Sequence, residues 1–240
     1  MSVHIRPLRL EGFEQLPKHA RRCVFWEVDP QTLGDSDYLA DPEFEKEAWL
    51  SMVMLEWGSC GQVAVPVADE NGPPVEDDDP CLGFVLYAPP RVVPRAQRFP
   101  TGPVSADAVL LTSMGVEAGH HAGLENQLLD HVVGELRRRG VRALEAFGRT
   151  GTAAELLGAD ADPELKQAVA ALDDCSFETC MIDAGFLIEA GFTVVAPHRY
   201  FPRLRLELDK GLGWKAEVEA ALERLLERAQ LQVSGAEISG

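Results

Sequence analysis

The stretch VEAGHHAGLENQLLDHVVGELRRRGVRALEAFG, Val116–Gly148, decides how the rest of the chain is read. Leu124, Leu128, Val132 and Leu136 recur every four residues, which aligns them along one stripe of an α-helix. The spacing predicts a helix over 123–139, closed by Arg137, Arg138 and Arg139 at the negative end of its dipole and by Gly140. Upstream, AVLLTSMGV (Ala108–Val116) is apolar enough for a buried strand, and downstream Val141–Phe147 reads as another. Strand, helix and strand joined by short turns form a parallel crossover unit. Its first turn, GHHAGLEN (119–126), opens the helix, where the leading backbone N–H groups have no intrahelical partner. A pyrophosphate binds such a turn if the backbone is not blocked. Gly119, Ala122 and Gly123 keep it small, whereas His120, His121 and Glu125 add bulk and a negative charge.

Toward the N-terminus, Val3–Leu10 alternates as a strand and Glu11–Arg22 as a helix that Pro17 starts late or bends. Glu43–Trp57 places Phe44, Ala48, Met52 and Leu55 on one face of a second helix, ended by Gly58. Gly61–Val67 and Cys81–Ala88 are strand-like and flank the acidic, Pro-rich segment 68–80, so they are expected to form a hairpin. A long Pro-rich loop follows over 89–107. Beyond the crossover unit, 149–178 is a polar excursion. A brief helix is then expected between Asp183 as N-cap and Gly191 at its C-terminus, with a strand from Phe192. In PRLRLEL, Leu204, Leu206 and Leu208 alternate with charges, which predicts a strand with one face in water. Trp214, Val218, Leu222, Leu225 and Ala229 mark a terminal helix. No repeat and no dividing linker appear. The expected fold is α/β: a central mixed sheet flanked by helices on both faces, in one domain over 1–209 with insertions at about 68–80 and 149–178, and a helix and tail over 210–240 that pack back.

Composition narrows the function. The 240 residues include 46% hydrophobic side chains and carry a formal charge of −17, a field that repels nucleic acid and favours a cationic acceptor, although acidity also serves solubility alone. Cys23, Cys60, Cys81, Cys175 and Cys180 are odd in number and contain no C-x-x-C pair, so neither a zinc site nor a disulfide framework is expected. No apolar run of about 18 residues appears, which argues against a membrane span. The chain is expected to be cytoplasmic with reduced thiols.

The crossover unit, the element order over residues 3–208 and the segment FLIEAGF (Phe186–Phe192) together resemble the GNAT superfamily of N-acetyltransferases. RRCVFWE and PHRYFPRLRLEL resemble a bacterial subgroup of it without an assigned substrate. The family turn follows Q/R-x-x-G-x-G/A, which falls here on His120-His121-Ala122-Gly123-Leu124-Glu125. The central glycine is present as Gly123, while His120 and Glu125 depart from the pattern. The resemblance implies acetyl-CoA as cosubstrate. Met114, Gly115 and Val116 would supply amides for the pantetheine arm and the thioester carbonyl. His121, Ala122, Gly123, Leu124, Glu125 and Asn126 would surround the pyrophosphate. Many members donate a proton from a tyrosine whose place is taken by Leu187, and Cys180 lies near where an asparagine often contacts the cofactor.

Acetyl transfer to an amine requires proximity, a base for the ammonium proton, amides for the carbonyl and an acid for the thiolate. Glu117 and Glu145, at or beside strand ends, are candidate bases. Glu27 is a candidate acceptor contact, and Tyr200 or Tyr87 a candidate acid. Each glutamate can equally be an ordinary strand-end carboxylate. Two functions follow: an N-acetyltransferase acting on a small-molecule amine or a basic peptide, or a catalytically inactive GNAT-fold module for ligand or protein binding.

Overall fold

In the computed structural model, residues 3–29, 41–67, 81–117, 123–151 and 180–208 are described. The hairpin tip (68–80), Gly119–Ala122 of the turn, all but the first residues of the insertion and the terminal helix lie outside them. Eight strands form one mixed sheet in the order β1-β2-β3-β4-β5-β8-β7, with β6 beside β5. They are β1 (Val3–Pro7), β2 (Gly61–Pro66), β3 (Gly83–Ala88), β4 (Ala108–Val116), β5 (Ala143–Arg149), β6 (Ile182–Asp183), β7 (Thr193–Ala196) and β8 (Arg203–Glu207). β2 and β3 pair antiparallel, as the hairpin reading requires, and β4 pairs parallel with β5 through the crossover helix α3 (Leu124–Arg138). The fold class is thus the mixed α/β sheet expected.

Strand alternation divides the core into two layers. On one face α3 lays Leu124, Leu128, Val132 and Leu136 on Val85, Tyr87, Leu111 and Leu144, joined by Leu187 of the short helix α4 (Ala184–Glu189). On the other face the N-terminal helices α1 (Lys18–Arg22) and α2 (Pro42–Glu56) cover Val63, Phe84 and Leu86. Beside them a cluster of rings fills the space over β5: Trp26 stacks on Phe147 at 5.3 Å, and Phe99 lies 4.6 Å from Phe147 and 5.5 Å from Phe201.

Pro17 does start the first helix late, since α1 begins at Lys18, and the residues before it form a 3-10 turn over Leu10–Gln15. Two local expectations are corrected. In α2 the apolar stripe is inverted: Phe44 and Leu55 are 64% and 86% exposed, while Lys46, Trp49, Leu50 and Val53 are buried. Helical periodicity cannot choose between two faces of similar apolarity, and here the larger Trp49 together with the ion-paired Lys46 takes the inner one. In β8, Arg203 and Arg205 do not face water but lie over Glu145 of β5.

α4 is held at both ends as the sequence implies. Asp183 caps it by accepting from the Phe186 N–H at 3.1 Å, and Gly191 follows the last turn with φ 95°. Asp183 also pairs with Arg149 at 3.3 Å, tying α4 to β5. Replacing Asp183 with Ala removes the cap and is expected to cost about 1 kcal/mol in chemical unfolding. An unchanged unfolding midpoint would refute this.

Candidate active site

β4 and β5 run side by side only from Ala108↔Ala143 to Leu111↔Ala146. Beyond that point β5 turns to β6, pairing Gly148 with Ile182 and Arg149 with Asp183, while β4 stays on β3. The two parallel strands therefore splay. A bulge marks the start of the opening: Leu86 pairs with Ser113 and Tyr87 with Leu111, leaving Thr112 as the extra residue, with its Oγ1 donating to the Leu86 carbonyl at 3.1 Å. The Glu117 N–H donates to Leu82 O at 2.9 Å, extending the register of Val116↔Gly83 and Phe84↔Gly115. Because antiparallel ladders alternate, Gly115 turns its main-chain groups to β3, and Met114 and Val116 turn theirs toward the splay. Gly115 is also sterically required, since a Cβ there would meet the Phe84 ring at 2.8 Å.

The N-terminus of α3 stands at the same end of the sheet. Gly123 precedes it with φ 87°, and no side chain caps the helix. Among the described residues, a Cβ at Gly123 would meet nothing within 4 Å. Leu124 is buried beneath the sheet, Glu125 is half-buried and Asn126 is exposed. His121 and Ala122 lie outside the described residues. The splay thus offers main-chain groups from β4 and the positive end of a 15-residue helix.

The candidate bases separate. Glu117 is exposed at the mouth of the splay and, by alternation from Gly115, projects on the face opposite α3. Glu145 is fully buried opposite Leu110, below the splay. It accepts from the Ser105 N–H at 3.1 Å and Arg205 Nη1 at 3.1 Å, and is paired with Arg203. Burial alone would raise its pKa, but the bonds from Ser105, Arg203 and Arg205 together hold it below the ordinary carboxylate value. A base needs the opposite shift, so its position fits an anchor for β8 and the 101–107 loop. Arg203 carries that anchoring on through Nε to Thr101 O at 2.8 Å, and Arg205 by a bidentate pair with Asp107 at 3.1 and 3.0 Å.

Glu27 is likewise inside rather than in contact with solvent. Lys46 Nζ reaches its Oε1 at 2.5 Å, both side chains are 2% exposed, and burial pushes the Glu27 carboxyl up. Tyr87 is buried under α3, its hydroxyl 3.3 Å from Gln62 Nε2, and burial raises its pKa too. Neither faces the splay. Tyr200 does stand at the exit of β5, where Thr150 N donates to its carbonyl at 2.9 Å, and its ring packs on the same sheet face as Glu117. His198 was not singled out by its sequence. Its Nδ1 accepts from the N–H groups of Tyr200 and Phe201 at 3.1 and 2.9 Å, fixing the turn that presents Tyr200, and burial lowers its pKa. The dipeptide Pro197-His198 before an aromatic pair was its only signal. Trp26, Phe99 and Phe201, from three separate segments, pack with Phe147 of β5 into a buried floor.

No protein-family profile matches the chain, and no curated protein does. Among solved structures, an N-acetyltransferase from Staphylococcus aureus Mu50 is similar at 16% identity, covering 87% of this chain and 100% of that one, with a TM-score of 0.45. The PaiA N-acetyltransferase from Thermoplasma acidophilum in complex with coenzyme A is similar at 13% identity, over 86% and 99%, with a TM-score of 0.45. SsHAT is similar at 15% identity, over 87% and 100%, with a TM-score of 0.46. Likenesses this remote say nothing of reaction or substrate. No helix among the described residues is long and apolar enough to cross a membrane.

Proposed function

We propose that this chain is an acetyl-CoA-dependent N-acetyltransferase of GNAT type that acts on an amine or a small basic acceptor. The observation that carries the reading is the β4/β5 splay, with the main-chain groups of Met114 and Val116 turned into it and α3 opening behind Gly123 at φ 87°. A thioester carbonyl in the splay would meet preorganised N–H donors, and a pyrophosphate the α3 N-terminus. The formal charge of −17 suits a cationic acceptor and opposes a polyanion.

In this reading the acceptor approaches from the face that carries Glu117 and Tyr200. Glu117 takes the ammonium proton. The amine nitrogen forms its bond to the carbonyl carbon, the tetrahedral intermediate collapses with cleavage of the C–S bond, Tyr200 gives its phenolic proton to the departing thiolate, and the surplus proton on the new amide nitrogen restores the phenol. Glu145 acts as a positioning residue through Arg203 and Arg205. Heat-induced unfolding tests the binding half of the proposal: acetyl-CoA at about 100 times its dissociation constant should add roughly 2.7 kcal/mol. No stabilisation at saturating acetyl-CoA would sink it.

A catalytically inactive GNAT-fold module is the second reading. It is favoured by Leu187, which is wholly buried in α4 and has no proton to donate. Turnover of acetyl-CoA with a panel of amines removes it, provided that Tyr200→Phe slows turnover while acetyl-CoA stabilisation persists.

A further inference from the structure

A second group of reactive side chains lies apart from the Glu117 and Tyr200 face. His19 and Cys23 stand four residues apart, the Cys23 N–H donating to His19 O at 2.9 Å as it caps α1, so both side chains leave one face of that short helix. Cys180, 157 residues further along the chain, comes to meet them just before β6. Its sulfur lies 3.6 Å from the Cys23 sulfur and 3.7 Å from His19 Nε2. The three ligand atoms all fall within 4.8 Å of one another.

We propose that His19, Cys23 and Cys180 form a binding site for a thiophilic divalent cation of the zinc type. Around tetrahedral zinc, with bonds of about 2.3 Å to sulfur and about 2.0 Å to nitrogen, neighbouring ligand atoms stand about 3.8 Å apart for two sulfurs and about 3.5 Å for sulfur and nitrogen. The two edges that meet at Cys180, 3.6 and 3.7 Å, are close to these values, and the third lies within 4.8 Å, so a turn of the His19 or Cys23 side chain completes the set. A disulfide would need the sulfurs to close to about 2.05 Å. Charge is compatible with the cation. Two thiolates, a neutral imidazole and a divalent ion sum to zero, and the buried sulfurs then carry no net charge into the core. An outer partner holds the ligand backbone: Lys46 Nζ donates to Cys23 O at 2.9 Å and is itself held by Glu27. That assigns the buried Lys46–Glu27 pair a purpose which the acetyl-transfer reading does not use. His19 is half-exposed, leaving a side by which the ion and a fourth ligand enter. The site joins α1 to the segment that leads into β6, and so staples one wall of the splay.

The sequence conceals the site because the ligands are spaced H-x3-C and then separated by 157 residues, with none of the paired cysteines that mark zinc motifs. The test is cobalt titration of reduced, metal-free full-length protein, followed by absorbance. One equivalent of Co²⁺ should produce the sulfur-to-cobalt charge-transfer band and the intense visible bands of a tetrahedral site, and Zn²⁺ should bleach them. Cys23→Ser with Cys180→Ser should abolish the charge-transfer band. His19→Ala, which keeps both thiols and touches only a half-exposed residue, should weaken binding by at least 10-fold, and Cys60→Ala should leave it unchanged. A wild-type protein without the band, a band that survives the double serine variant, or a Cys23–Cys180 disulfide with no cobalt uptake after reduction overturns the proposal. None of these readouts depends on acetyl transfer.

Discussion

Glu145→Ala is expected to lose about 3 kcal/mol of folding stability, the usual cost of removing one member of a buried, hydrogen-bonded charge group. The side chain is fully buried on β5 and receives Ser105 N–H, Arg203 and Arg205. Without it Arg203, whose side chain is 14% exposed, keeps only the Thr101 carbonyl and the Ser105 hydroxyl, while Arg205 retains Asp107 and Glu207. Urea unfolding should show a lower midpoint with an unchanged slope. The pH dependence supplies a sharper test. The folded-state pKa of Glu145 lies below the ordinary value of 4.5, so its contribution is complete above that value and is lost as pH falls through the folded-state pKa. The stability gap between wild type and Glu145→Gln should therefore narrow on acidification below about pH 4.5. A gap that stays constant would show that the carboxylate contributes by shape alone.

Gly123→Trp should weaken acetyl-CoA binding in the proposed reading, with a fall on the order of 100-fold in kcat/KM, equivalent to about 2.7 kcal/mol. Two effects operate. The backbone at φ 87° disfavours any side chain with a Cβ, at about 1–2 kcal/mol of strain. A Cβ at Gly123 meets no described residue within 4 Å, and the indole attached to it would stand at the entrance of α3, where an anion would sit. Gly123→Ala separates the two, since it carries the strain without the bulk. It should lose stability by a similar amount yet retain acetyl-CoA stabilisation. Acetyl-CoA binding unchanged in Gly123→Trp would place the pyrophosphate elsewhere, or exclude it.

These two positions also show unequal legibility. Gly123 was readable because a glycine between a buried strand and an amphipathic stripe has a local reason to exist: only that residue enters the helix from a positive φ without strain. Glu145 was readable only as a carboxylate on a strand. Burial acts to raise its pKa, but three donors brought by the 101–107 loop and β8 outweigh it. Those donors lie 40, 58 and 60 residues away in sequence, beyond the reach of any local pattern. α2 fails for a related reason: two of its faces are apolar, and the sheet beneath decides which one is inner.

By itself the sequence determined every strand but the two-residue β6, the crossover helix with its buried leucine and valine stripe, the caps of α4 and the mixed sheet. Each is a short-range consequence of periodicity and backbone preference acting within a few residues. Only the tertiary structure decided that β4 and β5 part after Leu111, that Glu145 is an anchor, and that His19, Cys23 and Cys180 converge. Those outcomes depend on which distant segments share a burial site, and a buried charge or sulfur takes its chemistry from the groups packed against it rather than from its neighbours in the chain.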